Sequence, residues 1–427
     1  MITKELRLIG GFDPNFTGSD PDLYSTVLDA QWAGSVISLT DAGEVLLQHL
    51  ALTHGDGTGN CDAGGCGGGV YAAGSTMLRL EGCLIADNVG TTVDQGLGGG
   101  LYLRNGLAEI RRSRIVSNSA STASAGDGYG GGIYLYNAMA SLVENQILDN
   151  VASAARTGSG GGVYFYDVSP GEVLGNVVRS NRAGTGAFGS DGGGLWLGFS
   201  SGLYVAGNRI EGNWTNPNQA GYGGGVYVVE SDAHLTANTI VSNVTGAGGW
   251  VRPGGGVMIG SSRPVTLSNN LIAGNDAGSY GGGVYAAIYM PAIPSRAVLV
   301  NNTIADNGGS GVVTQWHAAL TLTNNIIAGH GTGLAAYTAF TGSVYADTNL
   351  FWNTADPITG ANAIQQDPLL TPDYRVPPNS PAVDAGLTIP WLATDLAGYP
   401  RPQRGRYDLG AFEVLVSYLP LVARTVP

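Results

Sequence analysis

Lysine is almost missing from this 427-residue chain. Lys4 is the one example, and arginine brings the basic total to only 19 against 32 acids, for a net charge of −13. Nucleic-acid backbones are held by clustered basic residues, so the composition argues against such a partner. Arg111, Arg112 and Arg114 form the one basic cluster, fall inside a repeat and read as a local solvated face. Charge of either sign is scarce, at 12% of residues. Long apolar runs are missing too. The longest, Val414 to Ala423, is interrupted by Ser417, Tyr418 and Pro420 and falls short of the ~20 residues that a membrane helix needs, so no transmembrane segment is expected. Met1 to Glu5 contains no apolar signal-peptide core; the expectation is an exported protein whose leader precedes this sequence. Cysteine is down to three. Cys61 and Cys66 bound a short loop that a disulfide could close in an oxidising compartment. As a pair they lack the further ligands that a metal site requires.

Glycine is plentiful instead, with 70 residues, and it is placed with a period. Gly-Gly-Gly followed by an aliphatic residue and usually Tyr begins at positions 67, 98, 130, 160, 192, 223, 254 and 281, at intervals of 31, 32, 30, 32, 31, 31 and 27 residues. A repeat of this length marks stacked units, none of which can bury its apolar face alone. Disorder, the rival for so glycine-rich a chain, is excluded because 43% of residues are hydrophobic and fall at fixed repeat positions.

Each unit closes on an asparagine: Asn88, Asn118, Asn150, Asn181, Asn213, Asn243, Asn275 and Asn307. Three residues before it stands Ile or Val, as at Ile115, Ile147 and Val178. Eight before it stands another aliphatic, as at Ile110, Leu142 and Val173, and a third follows the glycines, as at Leu101, Ile133 and Val163. Three short runs per unit, rich in Val, Ile and Leu and bounded by turn residues, read as three strands with alternate side chains inward. The fold class is all-β: a right-handed, single-stranded parallel β-helix of about ten coils with three strands per coil, its hand set by the rule for parallel crossovers. The asparagine column and a second one five residues earlier (Cys83, Ser113, Asn145, Asn176, Asn208, Asn238, Asn270, Asn302, Asn325) read as ladders. The asparagines suit left-handed turn geometry, and their amides can bond to the coils on either side. Cys83 is then a small buried end-piece and His330 a ladder rung. From the third glycine to the asparagine the spacing is 18 or 19 residues in seven units, whereas the stretch from asparagine to the next glycine varies from 6 to 12. Residues 1–60 read as irregular N-terminal coils of a solenoid that runs over 1–366.

The Gly-Gly-Gly-aliphatic-Tyr and Asn-x-Ile-x-x-Asn pattern resembles the right-handed β-helix repeats of bacterial surface proteins, including polymorphic outer-membrane proteins, in the pectin-lyase-like superfamily. The likeness spans roughly residues 1 to 350 and implies fold more than activity, since the superfamily holds adhesins and enzymes alike. Asn379 to Gly386, Thr394 to Arg401 and Asp408 to Glu413 resemble the choice-of-anchor segment of secreted β-helices. That resemblance implies a C-terminal cap over 367–414 and a tail, 415–427, that serves as a sorting or surface-attachment signal.

Chemistry is thinner. Tyr71, Tyr102, Tyr134, Tyr164, Trp196, Tyr227, Met258 and Tyr285 form an outward column after the glycines. Together with Tyr136 and Tyr166 in the next outward column they offer a platform to sugar rings; the bland alternative is a second small core under the variable loops. The glycan-contact residues are accordingly Tyr102, Tyr134, Tyr136, Tyr164, Tyr166, Trp196 and Tyr227. For a polysaccharide lyase or glycoside hydrolase, the alternative function, the candidates are Asp167, Glu230 and Arg104, with the two acids two coils, ~10 Å, apart, near the wide end for an inverting pair. Ca²⁺ could be sought at Asp94, Asp127, Asp191 and Asp276, but each is a lone carboxylate beside Gly or Ser and reads as a solvated turn residue; no metal site is assigned. Gly329-His330-Gly331 looks like a polygalacturonase motif, yet its companion motifs are missing. The sequence therefore points to an extracellular or cell-surface protein with an adhesive or structural role, glycans or surface components as partners and no cofactor.

Overall fold

The computed structural model describes residues 1–61, 64–186, 189–216, 219, 221–246, 254–277, 281–288, 296–337, 343–355 and 359–415. It is a right-handed parallel β-solenoid, and among the described residues it contains no helix. Eight coils carry the glycine triplet, so the solenoid has about eight full coils and not the ten or so expected from the sequence. Partial coils at both ends extend one of its sheets to twelve strands.

The first strand of each coil begins directly after the triplet. The first glycine is left-handed, with φ of +63° at Gly98 and +66° at Gly130, a conformation that costs other residues a clash between Cβ and backbone. The second leaves no room for a side chain: a Cβ on Gly99 would stand 2.4 Å from the Ser119 carbonyl. Next comes the second strand, and both belong to one large parallel sheet. In two coils they fuse into single strands, Ile133–Val143 and Val163–Leu174, rather than the separate short runs expected. The third strand is three residues long and lies between the rungs of the two ladders, as in Arg114–Val116 and Gln146–Leu148.

Register is strict. Ile115 pairs with Ile85 and Ile147, Ile147 with Val178, and the column continues through Ile210, Ile240, Ile272, Ile304 and Ile327. These side chains, with the columns headed by Val70 and Leu80, form one core along the axis. Each fully buried aliphatic stabilises the stack by about 1.5–3 kcal/mol.

The polar turns are completed by the ladders. Asn145 Nδ2 donates to Ile110 O at 2.8 Å and to Asn176 Oδ1 at 3.0 Å, while its backbone N–H donates to the same Oδ1 at 2.8 Å. The pattern repeats through Asn349, and in the other ladder from Asn88 to Asn307. Cys83 ends the first ladder, buried, receiving Ser113 as its neighbour and turning its thiol to Leu47 O at 3.3 Å. His330 ends the second, its ring nitrogens 3.0 Å from Ile304 O and 3.3 Å from Asn307 O. One detail differs from expectation: the left-handed residue is the one before each ladder asparagine, such as Glu144, Asp149 and Ser180, so the asparagine side chain is chosen for its bonds and not for its backbone.

The variable stretches are also more regular than their lengths suggest. In the early coils they add two further small parallel sheets, one of which stacks Gly64–Cys66, Gln95–Leu97, Gly128–Tyr129 and Gly158–Ser159. Residues 1–60 are already in register with the array: Leu6–Ile9 pairs with Gly43–Gln48, and Thr26–Asp29 with Leu50–Thr53.

Residues 367–414 contain no strand and lie along the flank of the last coils. Val376, Ala382, Leu409 and Val414 pack on Ile326, Ala328 and Leu350. The asparagines preceding the first ladder's rungs hold the segment: Asn269 Nδ2 bonds to Thr394 O at 2.5 Å, Asn301 Nδ2 to Asp408 O at 2.9 Å and Asn324 Nδ2 to Leu387 O at 2.8 Å. Inside it Arg401 and Glu413, 2.6 Å apart, are both buried. The tail from 416 onward, where a sorting signal is expected, and the insertion at 289–295 lie outside the described residues.

Candidate functional site

On the strand after each triplet the aliphatic residues point inward, so alternation sends the next side chain out. Tyr71, Tyr102, Tyr134, Tyr164 and Trp196 do stand in one file. Successive rings are 5.6, 5.5, 5.1 and 4.1 Å apart and within 13° of parallel. Their faces are spent on one another, and Tyr102, Tyr164 and Trp196 are at most 7% exposed. What this file gives to solvent is ring edges and hydroxyls. Burial pushes the phenols of Tyr134 and Tyr164 far above the usual tyrosine range.

The file then breaks. Tyr227 meets Trp196 edge-on at 6.4 Å. Beyond it Met258, Tyr285, Val313 and Ala335 form a small buried cluster, with Tyr222, Tyr227 and Trp316 packed around it. This half of the column is the second core that the sequence offered as an alternative.

Where the column stays accessible, a groove of about 410 Å³ runs across three coils, lined by Gln95, Leu97, Tyr129, Tyr134, Tyr136, Tyr164 and Tyr166. Tyr134 and Tyr164 make its floor. Tyr136 and Tyr166, half-buried and tilted 53° to each other at 5.5 Å, form one wall. Arg104 extends this wall, paired in register with Tyr136, and its guanidinium lies beside the Tyr102 phenol, where it partly offsets the upward shift that burial imposes. The opposite wall is Gln95, Leu97 and Tyr129, whose ring meets Tyr164 edge-on at 5.4 Å. Sequence reasoning missed this second wall because it assigned the residues before each triplet to loops. The signal lay in the regular spacing of Leu97 and Tyr129, each directly ahead of its first glycine.

Asp167 and Glu230 are elsewhere. Both occupy the left-handed corner between the first and second strands, with φ of 56° and 43°, and Phe199 fills the same corner on the coil between them. Asp167 is exposed and lines a different furrow, with Met77, Leu107 and Met139. The Glu230 carboxylate accepts the Ser262 hydroxyl. Among the described residues no ion pair joins Arg104 to either acid.

Among the described residues, too, no three His, Cys, Asp or Glu side chains gather closely enough to hold a metal ion. Of the four loop aspartates, Asp94 and Asp276 are exposed and Asp127 faces Arg156 at 3.3 Å. Asp191 departs from the solvated-turn reading. Part of the residue reaches solvent, yet its carboxyl group is crowded by protein, and burial raises its pKa from the ordinary carboxylate value to about 7; the one opposing bond comes from the Tyr222 N–H, 3.1 Å away. Cys61 and Cys66 form a disulfide.

The family model described as "Right handed beta helix region" matches residues 37–236, 99–287 and 222–351 in overlapping stretches. No curated protein sequence matches the chain. Among solved structures, the periplasmic alginate epimerase AlgG is 12% identical with a TM-score of 0.45, over 77% of this chain and 74% of its own. Pectate lyase Pel9A is 13% identical with a TM-score of 0.38, over 79% of this chain and 88% of its own. The family matches together reach from residue 37 to residue 351, well over half of the sequence, and the chain belongs to the right-handed β-helix family.

Proposed function

We propose that this is an extracytoplasmic β-helix that holds glycan chains in its tyrosine-lined groove, in an adhesive or surface-structural role. The observation that carries this reading is the groove itself. Tyr136 and Tyr166 offer the partly free aromatic surface that the stacked file lacks, and a row of phenols with Gln95 supplies hydroxyl and amide groups at sugar-ring spacing. No carboxylate is among its lining residues, which favours binding over acid–base turnover. The Cys61–Cys66 disulfide supports an oxidising compartment. The segment 367–414, fastened to the flank of the last coils, contributes no residue to the groove lining and is proposed as the link to a surface anchor.

Binding of neutral and acidic oligosaccharides by calorimetry tests the reading. Tyr136→Ala with Tyr166→Ala should weaken binding roughly tenfold with the circular-dichroism spectrum unchanged, each lost stacking contact contributing about 0.5–1.5 kcal/mol. Undiminished affinity in that double variant, or cleavage of any of the oligosaccharides, would overturn it.

A further inference from the structure

Asp191 stands two coils beyond Tyr129 in the column that supplies one wall of the groove, just past the groove's own lining, and nothing in the architecture calls for a carboxylate there. Its column, directly before the first glycine, reads Leu97, Tyr129, Ser159 and Asp191 along paired strands. Five aromatic rings run along this end in an unbroken chain of contacts: Tyr129 to Tyr164 at 5.4 Å, Tyr164 to Trp196 at 4.1 Å, Trp196 to Tyr227 at 6.4 Å and Tyr227 to Tyr222 at 5.8 Å. The Asp191 carboxylate acts directly on the phenols of Tyr129, Tyr164 and Tyr227. Among the described residues those phenols and that of Tyr222 are the titratable groups facing it, and no arginine, lysine or histidine forms an ion pair with it. A crowded carboxylate with no counter-charge among the described residues, set among phenols, is complementary to an ammonium group, which gains a charge-assisted hydrogen bond.

We infer that Asp191, with Tyr129, Tyr222 and Tyr227, forms a cation-accepting subsite that selects glycans bearing a free, protonated amino group. The inference rests on the glycan-groove reading and narrows its ligand to amino sugars. Cation recognition at one end and Arg104 three coils away at the other would also fix the direction in which a chain lies.

The test uses the whole chain and three probes: a glucosamine tetramer, its fully N-acetylated counterpart and a neutral glucose tetramer. The glucosamine tetramer is expected to bind roughly tenfold tighter than the acetylated one. Asp191→Asn should abolish that preference and leave the acetylated probe's affinity in place, as should Asp191→Ser, which installs the residue that the preceding coil carries. Asp373→Asn, at an exposed carboxylate of the C-terminal segment, should leave the preference intact. On the unsubstituted protein, carbon NMR should show the Asp191 titration midpoint falling when the glucosamine tetramer is added. Equal affinity for the two probes, a preference that survives Asp191→Asn, or an unmoved midpoint overturns the amino-sugar inference and leaves the groove reading standing. Binding of none of the three probes overturns both.

Discussion

The indole of Trp196 lies over Gly198, two residues further along the same strand: a Cβ at Gly198 would stand 2.1 Å from the ring's Cη2. The relationship explains why the aromatic file ends where it does. Trp196 stacks on Tyr164 and also reaches the Tyr166 ring, 6.2 Å away and nearly parallel, so it closes both outward columns at once. Gly198→Ala should therefore push the indole off its stack. Overpacking of this kind costs about 1–3 kcal/mol, and the measurement is a lower denaturation midpoint together with a changed tryptophan emission. An unchanged emission spectrum would mean that the indole does not depend on Gly198.

The ladders should be the least forgiving part of the rod. Asn176→Ala removes the Oδ1 that accepts from Asn145 N and Nδ2, and the Nδ2 that serves Leu142 O and Asn208 Oδ1. Each buried polar group left without a partner costs about 1–3 kcal/mol, so a total loss of roughly 4 kcal/mol or more is expected in urea denaturation. Asn176→Ser keeps one acceptor, as Ser113 does for Cys83, and should cost clearly less. Equal losses for Ala and Ser would show that the bonds along the ladder add nothing.

These two cases mark what could be read from the residues alone. The glycine and asparagine columns were legible because every coil repeats the same physical constraint: a left-handed corner, a backbone crossing too close for Cβ, a buried turn that needs two donors and an acceptor pair. Ile115, Ile147 and Val178 therefore align as the spacing implies. The groove was only half legible. Period-two alternation tells which side of a strand Tyr136 occupies, but not that Tyr102 and Tyr164 consume each other's faces. Nor does it place Tyr129, on a separate short strand, across from them. Asp191 looks in sequence like any turn aspartate; its raised pKa comes from its surroundings, which alternation within one coil does not specify.

That environment has a consequence for pH. The folded-state pKa of Asp191 is raised, to about 7, so the native protein holds a proton that the unfolded chain, with a value near 3.8, has released. Stability from this group is therefore fully present below about pH 4 and is lost as pH rises toward 7. Each pH unit inside that window is worth at most about 1.4 kcal/mol. Asp408 and Glu413 shift the same way through burial, so the contribution is isolated by difference. Asp191→Asn should be nearly as stable as the unsubstituted protein at pH 4 and more stable at pH 7. A stability difference that stays constant between those two values would contradict the assignment.

The C-terminal segment should yield independently of the coils. Arg401 gives its two terminal nitrogens to Glu413, Asp408 O, Gly410 O and Asn269 Oδ1, and Glu413 in turn accepts from the backbone of Asp408 and Gln403. Removing one member strands a buried charge, for which about 3–5 kcal/mol is typical. The coils do not share that loss, because each is bonded to its own neighbours above and below. Arg401→Met should speed hydrogen exchange across residues 367–414, including the bonds from Asn301 and Asn324, while the ladder amides from Asn145 to Asn238 keep their protection. If exchange instead rose along the whole ladder, the segment would be integral to the rod's stability and not a brace laid on its flank.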